Sequence, residues 1–218
     1  AYNFDGNNDY MEVLDNNSID LSNTNYTISS WVFIDNVGTE YQQAIITKRG
    51  EISEEGYHLV YNSDDNEFVF QVSGGGDPRI QTSANNALGT WNNIVVTFES
   101  IGNTTSFYLN GVLAITSQSI NPVNSTLSNL FFGRTNVAST ANYYLDGNLD
   151  DIGLWNKALT SQEIQELYSG SSVLSTSNYL WSTGDTTETI TVSPTQTTTY
   201  WVEQTENGVS CTDSVTVT

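Results

Sequence analysis

Carboxylates are the chemically capable groups this sequence holds in number. Two acidic groupings stand out by spacing: Asp5-Gly6-x-x-Asp9 near the start, and Asp150-Asp151 late in the chain. Carboxylate and carbonyl oxygens are the hard donors that Ca²⁺ gathers in sixes to eights. The spacing is not that of an EF-hand loop, and Asp64-Asp65-Asn66-Glu67 reads as an acidic hairpin turn. His58 is the only histidine, on an alternating segment where it shares a face with Val60. No G-x-S-x-G elbow accompanies it, so it reads as a structural or surface histidine. Two loops carry groups suited to a sugar: Gly74-Gly75-Gly76-Asp77-Pro78-Arg79, and Thr135 to Tyr144 with Asn136, Asn142 and Tyr143. Carbohydrate sites pair aromatic faces with hydrogen-bonding side chains. Asp77, Arg79, Asn136, Asn142 and Tyr143 are therefore the candidate ligand contacts. Cys211 is the only cysteine, which excludes an intrachain disulfide and a cysteine-based zinc site.

The 218 residues carry 25 acids and 5 Lys or Arg, a formal charge of −20. Such a field excludes nucleic acid and anionic membranes as electrostatic partners and favours cations and neutral ligands. Hydrophobic residues make up 37% and recur periodically, so the chain folds. No apolar run approaches the roughly 20 residues that span a bilayer, so no membrane insertion is expected. Ala1-Tyr2-Asn3-Phe4 reads directly into a strand, as in a mature or excised fragment.

The elements that must position these groups are nearly all strands. In Thr27 to Ile34, Ile28, Ser30, Val32 and Ile34 point one way while Ser29, Trp31 and Phe33 point the other. Tyr57 to Tyr61, Glu67 to Val72, Asn93 to Phe98 and Ser106 to Leu109 read alike. Asn110-Gly111 predicts a type I′ hairpin, and Asp146-Gly147 and Asn207-Gly208 predict further turns. One helix is predicted after the capping box Thr160-Ser161-Gln162-Glu163, with Leu159 and Ile164 as a hydrophobic staple and Gly170 ending it. After Gly170 the composition becomes Ser- and Thr-rich and loses Lys and Arg. The expected organisation is a sandwich over 1–170, a linker over 171–178 and a small β module over 179–218.

Several pieces then occur in a recognisable order. Asn3 to Val13 opens the series, followed by Ile45-Ile46-Thr47-Lys48, Leu88 to Phe98 with the Leu109-Asn110-Gly111-Val112 hairpin, Phe132-Gly133-Arg134, and Gly147 to Thr160. Together they resemble the laminin-G-like branch of the concanavalin A-like lectin/glucanase superfamily over about residues 1–168. The resemblance implies an all-β jelly-roll sandwich of two antiparallel sheets with one short C-terminal helix. It places Trp31, Trp91 and Trp155 in the core. The tail, from Tyr179-Leu180-Trp181 to Cys211 and Val215, resembles half of an Ig-like module of the kind repeated in surface proteins of Bacteroidetes-type bacteria.

In the resembled fold the first and last strands are neighbours. That would bring Asp5, Asp9, Asp150 and Asp151 together as a calcium site. Glycosidases of this fold use Glu, Asp and Glu at alternate positions of one strand. Here Glu51-Ile52-Ser53-Glu54-Glu55 has Ser53 at the centre and reads as a solvated acidic loop. The resulting expectation is a non-catalytic, secreted or cell-surface module that binds a glycan or glycoprotein, or mediates adhesion. It would sit within a larger multidomain protein and be stabilised by Ca²⁺. The alternatives are a structural spacer without a ligand and a glycan-cleaving enzyme on the same fold.

Overall fold

The computed structural model describes residues 1–21, 24–37, 41–50, 55–72, 79–84, 87–118, 127–135, 143–170, 178–206 and 209–218. Two compact units divide the chain, Ala1–Gly170 and Ser171–Thr218.

In the first unit the strands are β1 (Tyr2–Asp5), β2 (Met11–Val13), β3 (Tyr26–Ile34), β4 (Gln42–Arg49), β5 (Gly56–Asn62), β6 (Glu67–Val72), β7 (Arg79–Ser83), β8 (Trp91–Glu99), β9 (Thr104–Leu109), β10 (Val112–Ser117), β11 (Leu130–Phe132) and β12 (Asp146–Trp155). A helix, α1 (Ser161–Ser169), follows them. The strands form two six-stranded antiparallel sheets, in the orders β1-β12-β3-β8-β9-β10 and β2-β11-β4-β5-β6-β7. This is the expected all-β sandwich. Alternation supplies its core: Ile28, Val32 and Ile34 of β3 meet Leu59, Phe68 and Phe70 of the other sheet. First and last strands are neighbours, with Tyr2 opposite Leu149 and Asp5 opposite Asp146.

The helix forms as its sequence directs. The Thr160 hydroxyl accepts from the Glu163 amide, the Glu163 carboxylate accepts from the Thr160 amide, and Gly170 ends the helix at φ 63°. Leu159 and Ile164 pack on Val95 and Tyr108, which lie on the face of the first sheet turned away from the main core. Trp31 stacks on Tyr168 of the helix, with ring centroids 5.6 Å apart. Trp155 packs against this second cluster, Trp31 is half-buried, and both lie outside the main core. Trp91 departs further from expectation. It opens β8 at 40% exposure and meets Phe33 only at a tilt.

Asn110-Gly111 makes the expected hairpin, with φ of 53° and 76°. Asp146-Gly147 does not turn the chain, because both residues lie in β12. A Cβ at Gly147 would stand 2.0 Å from the Phe33 carbonyl oxygen. Glycine is required there for close backbone approach and not for chain reversal. The expected Asn207-Gly208 turn lies outside the described residues.

The second unit is a three-stranded antiparallel sheet, β13 (Asn178–Trp181), β14 (Thr198–Glu206) and β15 (Val209–Val217), in sequence order. Its register puts Trp181, Val202, Tyr200 and Val215 on one face. None of its residues with described side chains is buried. Cys211 is a free, exposed thiol. Among the described residues no helix is long and apolar enough to cross a membrane.

Candidate functional site

The second sheet turns a polar row away from the core. Cross-strand register aligns Glu12 of β2, Phe131 of β11, Thr47 of β4, His58 of β5, Gln71 of β6 and Arg79 of β7. Directly opposed residues share a face, so these six point the same way and span about 24 Å at the usual strand spacing. Their chain neighbours Leu130, Phe132, Ile46, Tyr57, Leu59 and Phe70 occupy the core. His58 Nε2 lies 2.6 Å from Gln71 Oε1. Toward the β5–β6 hairpin the same face becomes apolar, with Ala44, Val60 and Val69 buried, and within the row itself Phe131, Thr47 and His58 are buried as well.

All three arginines of the chain belong to this face. Arg49 follows Thr47 by two residues on β4, and Arg79 pairs with Gln71. Arg134, just past β11, lies with its guanidinium 4.4 Å from the ring centroids of both Tyr10 and Phe131. The two rings meet edge to face at 6.0 Å. A guanidinium set against two rings is attracted by both. Its Nε is buried without a hydrogen-bond partner, as is the Thr47 hydroxyl. Residue 135 carries the site onward. The Thr135 hydroxyl accepts from the Tyr143 amide at 3.1 Å, and Tyr143 meets Tyr41 edge to face at 5.0 Å. Tyr41 is 47% exposed.

The residues expected from sequence fall in three places. Arg79 lies on the polar row and Tyr143 beside Tyr41. Asp77, Asn136 and Asn142 lie outside the described residues, as does most of Glu51 to Glu55. The four acids expected at a metal do not converge. Asp5 ends β1 opposite Asp146, whereas Asp150 lies four residues further along β12, opposite Trp31. Four residues of strand separate them by about 13 Å. Each end is already internally partnered. Asp5 Oδ1 accepts from the Asn7 and Asn8 amides, which hold its carboxyl below the usual carboxylate range. Asp150 is held low by the Ala1 ammonium, 3.2 Å away, and by the Asp151 amide. Asp9 is exposed in the turn before β2. Among the described residues no three His, Cys, Asp or Glu are grouped to hold a metal ion.

Tyr10, Tyr41, Thr47, Phe131 and Arg134 are site residues that sequence reasoning passed over. The available signal was the scarcity of cations: with only five in the chain, asking where each goes leads to this face.

The family model of the concanavalin A-like lectin/glucanases superfamily matches residues 5–165. Among curated proteins none matches. Solved structures share the fold at low identity. A native heptameric SAP-like pentraxin from Limulus polyphemus superposes with a TM-score of 0.61 at 13% identity, over 78% of this chain and 82% of that one. The binding domain of botulinum neurotoxin serotype G gives 0.60 at 14% identity, over 82% of this chain and 47% of that one. The CBM40 of the Ruminococcus gnavus IT-sialidase, bound to α2,3-sialyllactose, gives 0.54 at 14% identity, over 74% of this chain and 97% of that one. The chain therefore spans less than half the length of the botulinum binding domain. At such identities the likeness is one of fold. With two six-stranded sheets in place and the match covering most of the first unit, the chain belongs over residues 5–165 to the concanavalin A-like lectin/glucanases superfamily.

Proposed function

We propose that the first unit is a non-catalytic glycan-binding module, working outside the cell within a larger multidomain protein. The observation that carries this reading is the outward face of the second sheet. It combines a polar row with an arginine set against two aromatic rings, and the Tyr41–Tyr143 pair stands just before the start of β4. Aromatic rings cover the C–H faces of sugars while side-chain donors and acceptors take the hydroxyls. A spacer without a ligand would need no such cluster. The CBM40 structure with sialyllactose supports the reading, because its fold carries a sugar.

The geometry gives little support to glycan cleavage. Among the paired residues of this face the carboxylates are Glu12, on the edge strand β2, and Glu67, opposite Asn62 on the far side. Four strand spacings part them, about 19 Å. Glycosidases hold their two carboxyl groups within about 10 Å.

Calcium enters the proposal at the Asp5 end alone. Asp5 and Asp146 are directly opposed like charges, and Asp146 also accepts from the Asn36 amide nitrogen at 2.9 Å. Such a pair is unfavourable unless something positive lies between. The second unit would serve as a spacer, and its apolar face fits the expected half of an Ig-like module.

The test is a glycan array followed by titration of the hits, in calcium and in excess chelator. The expected outcome is saturable binding that weakens about tenfold in Tyr41→Ala and Tyr143→Ala, in line with loss of a stacking ring. A thermal shift with calcium that is lost in Asp5→Ala would support the metal. Absence of any glycan hit in both buffers would overturn the binding reading.

A further inference from the structure

We infer that the outward face of the first sheet is a second binding surface, a platform for neutral glycan chains built on Trp91 and Tyr168. The inference goes beyond the site proposed on the second sheet, because it uses other strands. Register lays out two rows on this face. Asn3 of β1, Asn148 of β12, Phe33 of β3 and Trp91 of β8 form one, and Asp150 of β12 and Trp31 of β3 belong to the next. Their chain neighbours Phe4, Leu149, Val32 and Ile34 occupy the core, so these side chains point outward. The rows lie two residues apart, about 7 Å along the strands. Further along the same face α1 packs on Val95 and Tyr108, and its last turn reaches the rows, where Tyr168 stacks on Trp31.

Two rings stand out of this face. Trp91 is 40% exposed and Tyr168 37%, and each is backed by a half-buried ring. Trp91 meets Phe33 with centroids 5.6 Å apart, and Tyr168 lies nearly parallel to Trp31 at the same distance. The β9–β10 hairpin holds Tyr168 from the side, since a Cβ at Gly111 would stand 3.0 Å from its ring. Rings fixed in this way lose little freedom when a ligand covers them. The polar groups beside them are rich in acceptors. Asn3 Nδ2 donates to Asn148 Oδ1 at 3.1 Å, and Asn148 Nδ2 donates to Asp35 Oδ2 at 3.4 Å. These bonds engage amide donors and leave lone pairs on the exposed Asn3 Oδ1 and on the Asp150 carboxylate, whose side chain is 45% exposed. Neither Lys nor Arg stands among the six residues of the two rows. A ligand that fits donates hydroxyl hydrogens, lays C–H faces on the rings and carries no negative charge. A neutral glycan chain does all three. A second copy of this chain fits less well, because its charge of −20 would meet a face without a cation.

The test is affinity electrophoresis of the full chain in gels that contain hydroxyethylcellulose, galactomannan, arabinoxylan or dextran, with polygalacturonate as the anionic control. The expected result is retardation by at least one neutral polysaccharide and none by polygalacturonate. The variants are compared in the Tyr41→Ala background, so that the site on the second sheet contributes little. There Trp91→Ala should weaken the binding about tenfold, in line with loss of a stacking ring. Trp91→Leu, which keeps apolar bulk without the ring, should do the same and serves if the alanine variant does not fold. Retardation that survives both substitutions unchanged, or a preference for polygalacturonate, would overturn the inference and leave the reading for the second sheet standing. So would a dimer in sedimentation that Trp91→Ala dissociates, since a second copy would then occupy the face. No retardation by any neutral polysaccharide would also overturn it, and together with an empty glycan array would bring down the glycan-binding reading as well.

Discussion

Lys48 enters the sandwich from β4 with 1% of its side chain exposed, and its ammonium reaches Asp15 at 2.6 Å and the Ser128 carbonyl at 2.8 Å. Burying an ammonium this far is costly unless oxygens pair with it. Removing Asp15 strips the counter-charge while the lysine stays buried. Asp15→Ala is therefore expected to lower unfolding free energy by about 3 kcal/mol or somewhat less, since Asp15 is itself 27% exposed. Urea denaturation measures it, and an unchanged midpoint would show that the pair contributes nothing. Arg134 contrasts with Lys48 at the same scale. Both are cations in an acidic chain, but one is closed off by a protein carboxylate and the other, among the described residues, meets aromatic rings.

At the scale of the element, α1 is held by its ends and by one face. Its capping box joins Thr160 and Glu163, and Lys157 pairs with the same glutamate. Lys157 first, and then the Thr160 amide, hold the Glu163 carboxyl below its usual value. A carboxyl depressed in the folded state stabilises above its unfolded pKa, and that contribution is lost as pH falls through the folded pKa. Glu163→Gln should therefore melt below the wild type near neutral pH. The gap should close on acidification below about pH 4, where the wild-type carboxyl also protonates. Melting curves across pH decide it, and a gap that persists at pH 2 would contradict the assignment. Thr160→Ala should cost about 1 kcal/mol at any pH through the lost hydroxyl acceptor. The helix was legible in the sequence because every contact that starts and ends it lies within a few residues. The Asn110-Gly111 hairpin was legible for the same reason. Asp146-Gly147 was misread as a turn because the reason for its glycine, the Phe33 carbonyl, is more than a hundred residues away in the chain.

At the scale of the whole molecule, the two units differ in how they meet the need for a core. The first closes two sheets over a shared apolar layer. The second offers one three-stranded sheet whose described side chains are all at least partly exposed, including Trp201 at 42% and Val215 at 55%. About 40 residues seldom hold a fold without staples, and Cys211 has no partner for a disulfide. A fragment of residues 1–170 is expected to unfold cooperatively at the temperature of the main transition of the full chain. A fragment of residues 171–218 is expected to show no cooperative transition by circular dichroism. A sharp transition in the short fragment would overturn this expectation.

The period-two strands, the hairpin, the capped helix, the change of composition after Gly170 and the membership suggested by five ordered motifs were legible along the chain. These are local patterns or long ordered series, and alternation dictates which side of a strand is apolar wherever the strand pairs. Which strands lie side by side was settled by packing across the sandwich. Register put Asp5 opposite Asp146 and kept it away from Asp150, which dispersed the expected metal ligands. Register also set Thr47 beside Phe131, and Arg134 against Phe131 and Tyr10, residues drawn from three separate stretches of chain. No spacing in the sequence announces such a cluster, because the pairing of distant strands is fixed by the packing of the whole sandwich.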